Sequence, residues 1–452
     1  MSSNRDDTTN IAMPELPQSD FIREKNDKFK LAVLEVQNQE PRSSPGGPKP
    51  LIQRVPSLLI NVKADFKKCF EPKVVALGPL HHGDPKFQFA EQPKLRSAAA
   101  FALENKTTHE ILFDKIKAEI QDLRKCYKPD DIKDYDDEYL AWMLFVDGCA
   151  VLCAVTCGME GDSQKLITKS DLLVLKQLGL LLLEHQIPYR VLQILVDSAS
   201  DPQRWKNALI HFIAQNLVTN VPGGQTSQNA VKYADKEDYA HLLDWFRAEH
   251  LMGNEVKRES STIGKMFMSC GEGRRHKKTV RRIKKLKESG IRVKPSNTRT
   301  ITNISFYCNF KGEVMMPHLW VDCSTASKLM NLVALEMCED FHNGYEVIAY
   351  LCFMDSLIDT PEDVKELEDT GVLHNNLGTD EAVAHLFNEL ASDLPAHPGP
   401  SVYQDVVNHI HKYCNSPWTN VVSKTSRVGQ CMKEYQIIAV IRCMFRCIYC
   451  GC

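Results

Sequence analysis

Charge of one sign is missing from this 452-residue chain. Its 55 Lys and Arg stand against 58 Asp and Glu, a formal net charge of −3. No overall field therefore draws it to nucleic acid or to an anionic membrane, and any such attraction must be local. An apolar leader is missing too, because Met1–Asp20 is polar and has no secretory h-region. With no leader, the 16 cysteines read as mostly free thiols of a reducing compartment. No segment is read as a membrane span. The leucine block Leu180–Leu183 lies between Lys176 and Glu184, far short of the roughly 20 apolar residues a span requires. Enzyme signatures are absent as well: no Gly-x-Ser-x-Gly elbow, Walker loop, Rossmann glycines or kinase set. No small-molecule cofactor is expected, and no repeat of fixed period is present.

What is present has the composition of a globular protein, with 43% hydrophobic and 25% charged residues. The length favours two lobes over one core. Residues 1–50, rich in Asp, Asn, Gln, Ser and Pro, read as a disordered tail. Residues 51–215 form a helical lobe, with one short strand expected near 73–77. Residues 216–235 read as a linker, and 236–415 as a second helical lobe with a basic segment and a β-hairpin near 301–321. The fold class is thus mainly α and two-lobed. Thr360-Pro361-Glu362-Asp363 combines an N-cap, a proline at the first helical position and an acidic third residue, so a helix starts there. Leu377-Gly378-Thr379-Asp380-Glu381 starts another.

The most distinctive string is Glu71-Pro72-Lys73-Val74-Val75-Ala76-Leu77-Gly78-Pro79-Leu80-His81-His82-Gly83. Further blocks follow in order: Leu144-Phe145-Val146-Asp147-Gly148-Cys149, Glu184-His185-Gln186-Ile187-Pro188, His241-Leu242-Leu243-Asp244, Ser289-Gly290-Ile291 and Tyr350-Leu351-Cys352-Phe353-Met354-Asp355 with Glu362-Asp363-Val364. Leu377–Glu381 closes the set. Together they resemble the plant family called domain of unknown function 247, or UPF0481, over residues 51 to about 415. The resemblance implies a protein without established enzymatic activity, attached to a membrane. Some members are linked to self-incompatibility, which implies recognition or signalling with a protein partner. This chain has His185 where the family usually has Asn. Residues 416–452 do not resemble the family's C-terminal region and read as an atypical Cys-rich tail, as a truncated or alternatively read gene end would produce.

Each striking residue group has a plain reading beside a chemical one. His81 and His82, as neighbours in an extended segment, point to opposite faces and cannot readily share one ion. A structural role after the Gly78-Pro79 turn is favoured over metal binding, catalysis or partner contact. Pro72, Gly83, Asp147, Gly148, Gln186, Pro188, Asp355, Glu362, Asp363 and Gly378 are read as structural motif positions. Glu362 and Asp363 at a helix start read as capping rather than acid–base chemistry. Residues 274–298 crowd Lys and Arg against a single acid, Glu288. Arg281, Arg282, Lys284 and Lys285 could touch anionic lipid or nucleic acid, or simply form a solvated face. The last residues, Tyr435–Cys452, are too short to span, and Arg442 or Arg446 at the bilayer centre costs about 3 kcal/mol each. Cys443, Cys447, Cys450 and Cys452 could carry acyl chains on a surface helix. Cys447 and Cys450 alone have zinc-ligand spacing, with no second pair. Peripheral membrane contact is therefore expected, with cytoplasmic or nuclear placement as the alternative, and nucleic acid is not the expected partner; the rival readings of function are an enzyme whose site is built from scattered residues and a nuclear protein acting through its basic patch.

Overall fold

The computed structural model describes residues 23, 27–30, 52–62, 64–156, 179–220, 239–251, 282–308, 311–339, 344–392, 394 and 402–416. The chain divides into two compact units, Met1–Lys49 and Pro50–Cys452. In the first, the described residues are helical. The second is mostly helical with a few short strands, in line with the expected class.

Its N-terminal part is organised by one helix, α7 (Asp137–Thr156), which follows α1 (Ser57–Val62), α2 (Ala64–Phe70), α3 (Gln88–Glu104), α4 (His109–Ala118), α5 (Ile120–Arg124) and α6 (Pro129–Ile132). The helix α7 is apolar around its whole circumference, the pattern of a helix buried on all sides. From Leu140 to Thr156 every residue but Trp142 is buried. Among the described residues it is the one helix long and apolar enough to cross a membrane, and its burial is that of a core helix. Around it pack α3, α4, α8 (Tyr189–Asp197) and α9 (Pro202–Asn216). The crossing with α8 requires Gly148: a Cβ there would lie 2.7 Å from Leu195 Cδ1 and 2.9 Å from Val191 Cγ1.

Beyond α10 (Leu242–Leu251) and α11 (Ile283–Glu288), three strands form one sheet in the order β1-β3-β2. The expected hairpin is present as β2 (Ser305–Cys308) antiparallel to β3 (Gly312–Pro317), in register from Ser305 opposite Met315 to Cys308 opposite Gly312. On the other side of β3 lies β1 (Ile291–Ser296), parallel to it. The strand β4 (Leu319–Val321) leaves the hairpin and pairs in parallel with β5 (Leu373–Asn375). The helices α12 (Thr325–Glu336), α13 (Glu346–Leu357), α14 (Pro361–Asp369), α15 (Asp380–Ala391) and α16 (Gln404–Cys414) complete the unit.

The expected strand at 73–77 does not form. Val75, Ala76 and Leu77 are buried, but among the described residues the stretch has no neighbouring strand, and side chains take its backbone polar groups instead. The Ala76 carbonyl accepts from Lys94 Nζ at 3.0 Å. Of the expected linker, residues 221–235 lie outside the described residues. Before them, the Val218 carbonyl accepts from Trp320 N–H at 2.8 Å, and Thr219 bridges to Leu319. One apolar cluster runs from Ile52 to Tyr413.

The N-terminal and C-terminal parts are joined by Asn331 of α12. Its Nδ2 donates to the Cys69 carbonyl at 2.9 Å and its Oδ1 accepts from Leu183 N–H at 2.8 Å.

Candidate functional site

The separated motif blocks converge on the first turns of the fold. Gly78 adopts φ +67°, a conformation open to glycine and strained for most other residues. A Cβ there would sit 3.0 Å from the Gln186 carbonyl oxygen. Its N–H donates to Asp147 Oδ2 at 2.8 Å, while Lys94 Nζ holds Asp147 Oδ1 at 2.7 Å and Glu91 Oε1 at 2.8 Å. Asp147 and Lys94 are 1% and 3% exposed, so this is a buried ion pair. Burial lifts the Asp147 carboxyl, against which Lys94 and the Gly78 N–H pull back. At Lys94 burial pushes down, but Asp147 and Glu91 together push further up, so the net direction favours the ammonium.

The two adjacent histidines diverge, although the segment that carries them is a turn, closed by Asp84 N–H on the His81 carbonyl at 3.3 Å, and not the extended chain expected. His81 Nε2 lies 2.7 Å from Glu184 Oε2, an ion-pair distance, although its N–H is not aimed along that line. Glu184 Oε1 accepts from Val55 N–H at 2.8 Å. Burial alone would raise the Glu184 carboxyl; His81, the Val55 N–H and Arg54 hold it below its usual value instead. The ring of His82 turns the other way, with Nε2 2.8 Å from Tyr139 Oη, and Tyr139 stacks on Tyr135 at 5.6 Å. Gln186 fastens the next block, donating to the carbonyls of Leu180 and Leu182 at 3.0 and 2.6 Å and accepting from Leu243 N–H at 3.0 Å. Pro188 stands at the N-cap of α8.

Three buried histidines are held neutral. His185 donates from Nδ1 to the Gly179 carbonyl at 3.1 Å, and its Nε2 has no hydrogen-bond partner among the described residues. Burial, then the charge of His81, pushes its pKa down to about 3. His241 Nδ1 accepts from Asp244 N–H at 3.1 Å, and burial pushes its pKa to about 3. His250 Nδ1 lies 2.8 Å from the Phe246 carbonyl while Nε2 accepts from Val218 N–H at 3.2 Å, and burial takes its pKa to about 4.

The remaining motif positions sit apart from this network. Asp363, 2% exposed, closes the expected capping box by accepting from Thr360 N–H at 3.1 Å. The exposed Glu362 is held below its usual pKa by the Thr360 hydroxyl. Burial, then Asp359, raises the Asp355 carboxyl. Gly378 has φ +104°, and its N–H donates to Asn375 Oδ1 at 3.3 Å. Gly83 has φ +82° in an open turn, and Pro72 lies in irregular chain.

The basic segment is in part answered by acids of the same fold. Arg282 pairs with Asp359 at 2.5 Å and Lys287 with Glu366 at 2.5 Å, while Lys284 faces Glu362. Lys285 is exposed; Arg281, Cys443, Cys447, Cys450 and Cys452 lie outside the described residues. Among the described residues, no group of three or more His, Cys, Asp or Glu could hold a metal ion.

A different feature stands open to solvent. Between α4 and the start of α7 lies a cleft of about 560 Å³ lined by His109, Glu110, Phe113, Asp114, Asp136, Glu138, Tyr139 and Trp142. Helical spacing builds it: His109 and Phe113 are four apart on α4, and Tyr139 and Trp142 three apart on α7, so each pair shares a face. Trp142 rests on the buried Phe145 at 5.5 Å, with Phe113 5.8 Å and His109 6.4 Å from its ring. It remains 40% exposed, and Tyr139 49%. Lys117 from α4 reaches back, its Nζ 5.6 Å above the Phe113 ring and 2.9 Å from Glu138 Oε1. Glu138 leads the causes that raise its pKa. The cleft joins the motif network through Tyr139 and His82. Sequence reading passed over it because α7 reads as a uniformly apolar core helix. The available signal was the aromatic–acidic pattern His109-Glu110, Phe113-Asp114 on the polar face of α4.

The model of the family DUF247, described as plant protein of unknown function, matches residues 52–447. That span runs past Ser416, where the resemblance read from the motifs stops. The UPF0481 protein At3g47200 of Arabidopsis thaliana is 27% identical over 392 residues, covering 82% of this chain and 78% of its own. A second UPF0481 protein of that plant, At3g02645, is 30% identical over 117 residues, 26% of this chain and 22% of its own. No solved structure matches the chain significantly.

Proposed function

This chain belongs to the DUF247 family of plant proteins, and from that premise we propose that it is a non-catalytic recognition protein whose docking site is the cleft between α4 and α7. One observation carries the reading: Trp142 is the only residue from Leu140 to Thr156 that α7 leaves unburied, and it stands in an open cleft beside Phe113 and Tyr139. Exposed aromatic rings anchored on a rigid core are the usual energetic centres of binding surfaces. The buried charges of the motif network, Asp147, Lys94 and Glu184, meet partners within the fold, which suits a scaffold for the cleft. Proximity labelling in plant cells with the full chain and with Trp142→Ala and Glu138→Gln variants tests it. Neighbours marked by the parent and lost in both variants, at unchanged thermal stability, are the expected result. Identical sets of neighbours refute it.

The membrane setting and signalling role that the family resemblance implies belong to the same proposal. Fluorescent fusions of the full chain and of a chain ended at residue 415 test that setting. Loss of membrane signal on truncation supports anchoring by the C-terminal residues, and an unchanged distribution counts against it.

A further inference from the structure

We infer that the cleft takes a Lys- or Arg-bearing segment of a protein partner, an inference that rests on the recognition reading above. Four carboxylates line the cleft, Glu110, Asp114, Asp136 and Glu138, around the rings of Phe113, Tyr139 and Trp142. Aromatic faces and carboxylates ask for the same ligand: a cation that can lie over a ring while its N–H groups reach an oxygen. The molecule already contains one instance, since Lys117 lies over Phe113 and pairs with Glu138. Glu110 also has His109 Nε2 at 3.3 Å and Asp136 accepts from Tyr139 N–H at 2.7 Å, yet with Lys117 seated on Glu138 the carboxylates of the lining still outnumber its cations. The volume of about 560 Å³ accommodates one or two extended side chains.

The charge pattern also selects the source of the cation. A choline headgroup carries a phosphate close to its ammonium, and that phosphate would enter the field of the same carboxylates. Nucleic acid is repelled outright. A basic peptide brings no compensating anion. Arginine suits the site best, because its planar guanidinium stacks on Trp142 and presents paired N–H groups to a carboxylate.

The test is isothermal titration of the full chain with a synthetic peptide of alternating Arg and Gly, the same peptide with citrulline for Arg, and phosphatidylcholine vesicles. The Arg peptide should bind roughly tenfold more tightly than its neutral isostere, and its affinity should fall as salt screens the carboxylates. Glu138→Gln and Trp142→Ala should each weaken it about three- to fivefold. Equal binding of the citrulline peptide, no binding of the Arg peptide, or vesicle binding that the Arg peptide fails to displace overturns the inference. If the cleft variants still change the labelled neighbours in cells, the recognition reading stands and only the cationic occupant falls. If neither responds, both fall.

Discussion

Mild acid should destabilise this protein through three buried histidines. His185, His241 and His250 have pKa values near 3, 3 and 4 in the fold, against an ordinary 6.5. The bonding explains why. His241 Nδ1 and His250 Nε2 accept backbone N–H groups, so a proton there would set donor against donor. His185 Nε2 faces no acceptor among the described residues. The unfolded chain therefore binds three protons that the native state refuses, and stability falls as pH drops below about 6.5. Each group loses about 1.4 kcal/mol per pH unit, so near pH 5 the loss is about 2 kcal/mol per histidine and about 6 kcal/mol for the three. Native stabilities of about 5–15 kcal/mol make such a loss decisive. The buried Asp147, Asp244 and Glu336 have raised values and oppose the trend by taking protons in the fold as pH falls. The assay is urea unfolding at closely spaced values between about pH 7.5 and 5. A flat unfolding free energy across that range refutes the reasoning, and His185→Gln should reduce the slope by about one proton.

Two further outcomes follow from the motif network. Asp147→Asn leaves the Lys94 ammonium buried without its counter-charge and should cost about 3–5 kcal/mol by chemical denaturation. Adding Lys94→Met should recover much of that loss, and strict additivity of the two changes would contradict the pairing. Gly148→Ala places a methyl 2.7 Å from Leu195 Cδ1 and should cost about 1–3 kcal/mol through overpacking; an unchanged melting temperature would show that α8 yields freely.

Local chemistry was legible in the chain wherever one short segment carried the whole cause. Thr360 to Asp363 spelled out its cap, and the hairpin expected near 301–321 formed as β2 and β3. Opposite directions for His81 and His82 were expected from strand alternation, but the turn at 81–84 sets them instead. Long-range partners were not legible. Val74 and Val75 read as strand, yet no strand lies beside them, and Lys94 and Asp147 serve that backbone from two helices. The strand β1 was hidden by the basic residues Arg292 and Lys294, which alternate with the buried Ile291 and Val293. The cleft stayed invisible for the same reason: its halves lie on α4 and α7, and only packing brings Phe113 to Trp142.

The clasp at Asn331 imposes an order on the birth of the protein. Cys69 precedes its partner by 262 residues. At a synthesis rate of about 5–20 residues per second, the nascent α2 waits roughly 13–50 s before Asn331 is even made. Throughout that interval Phe70, buried in the finished fold, has no α12 to close over it. Slowing translation between α2 and Asn331 would lengthen that exposure.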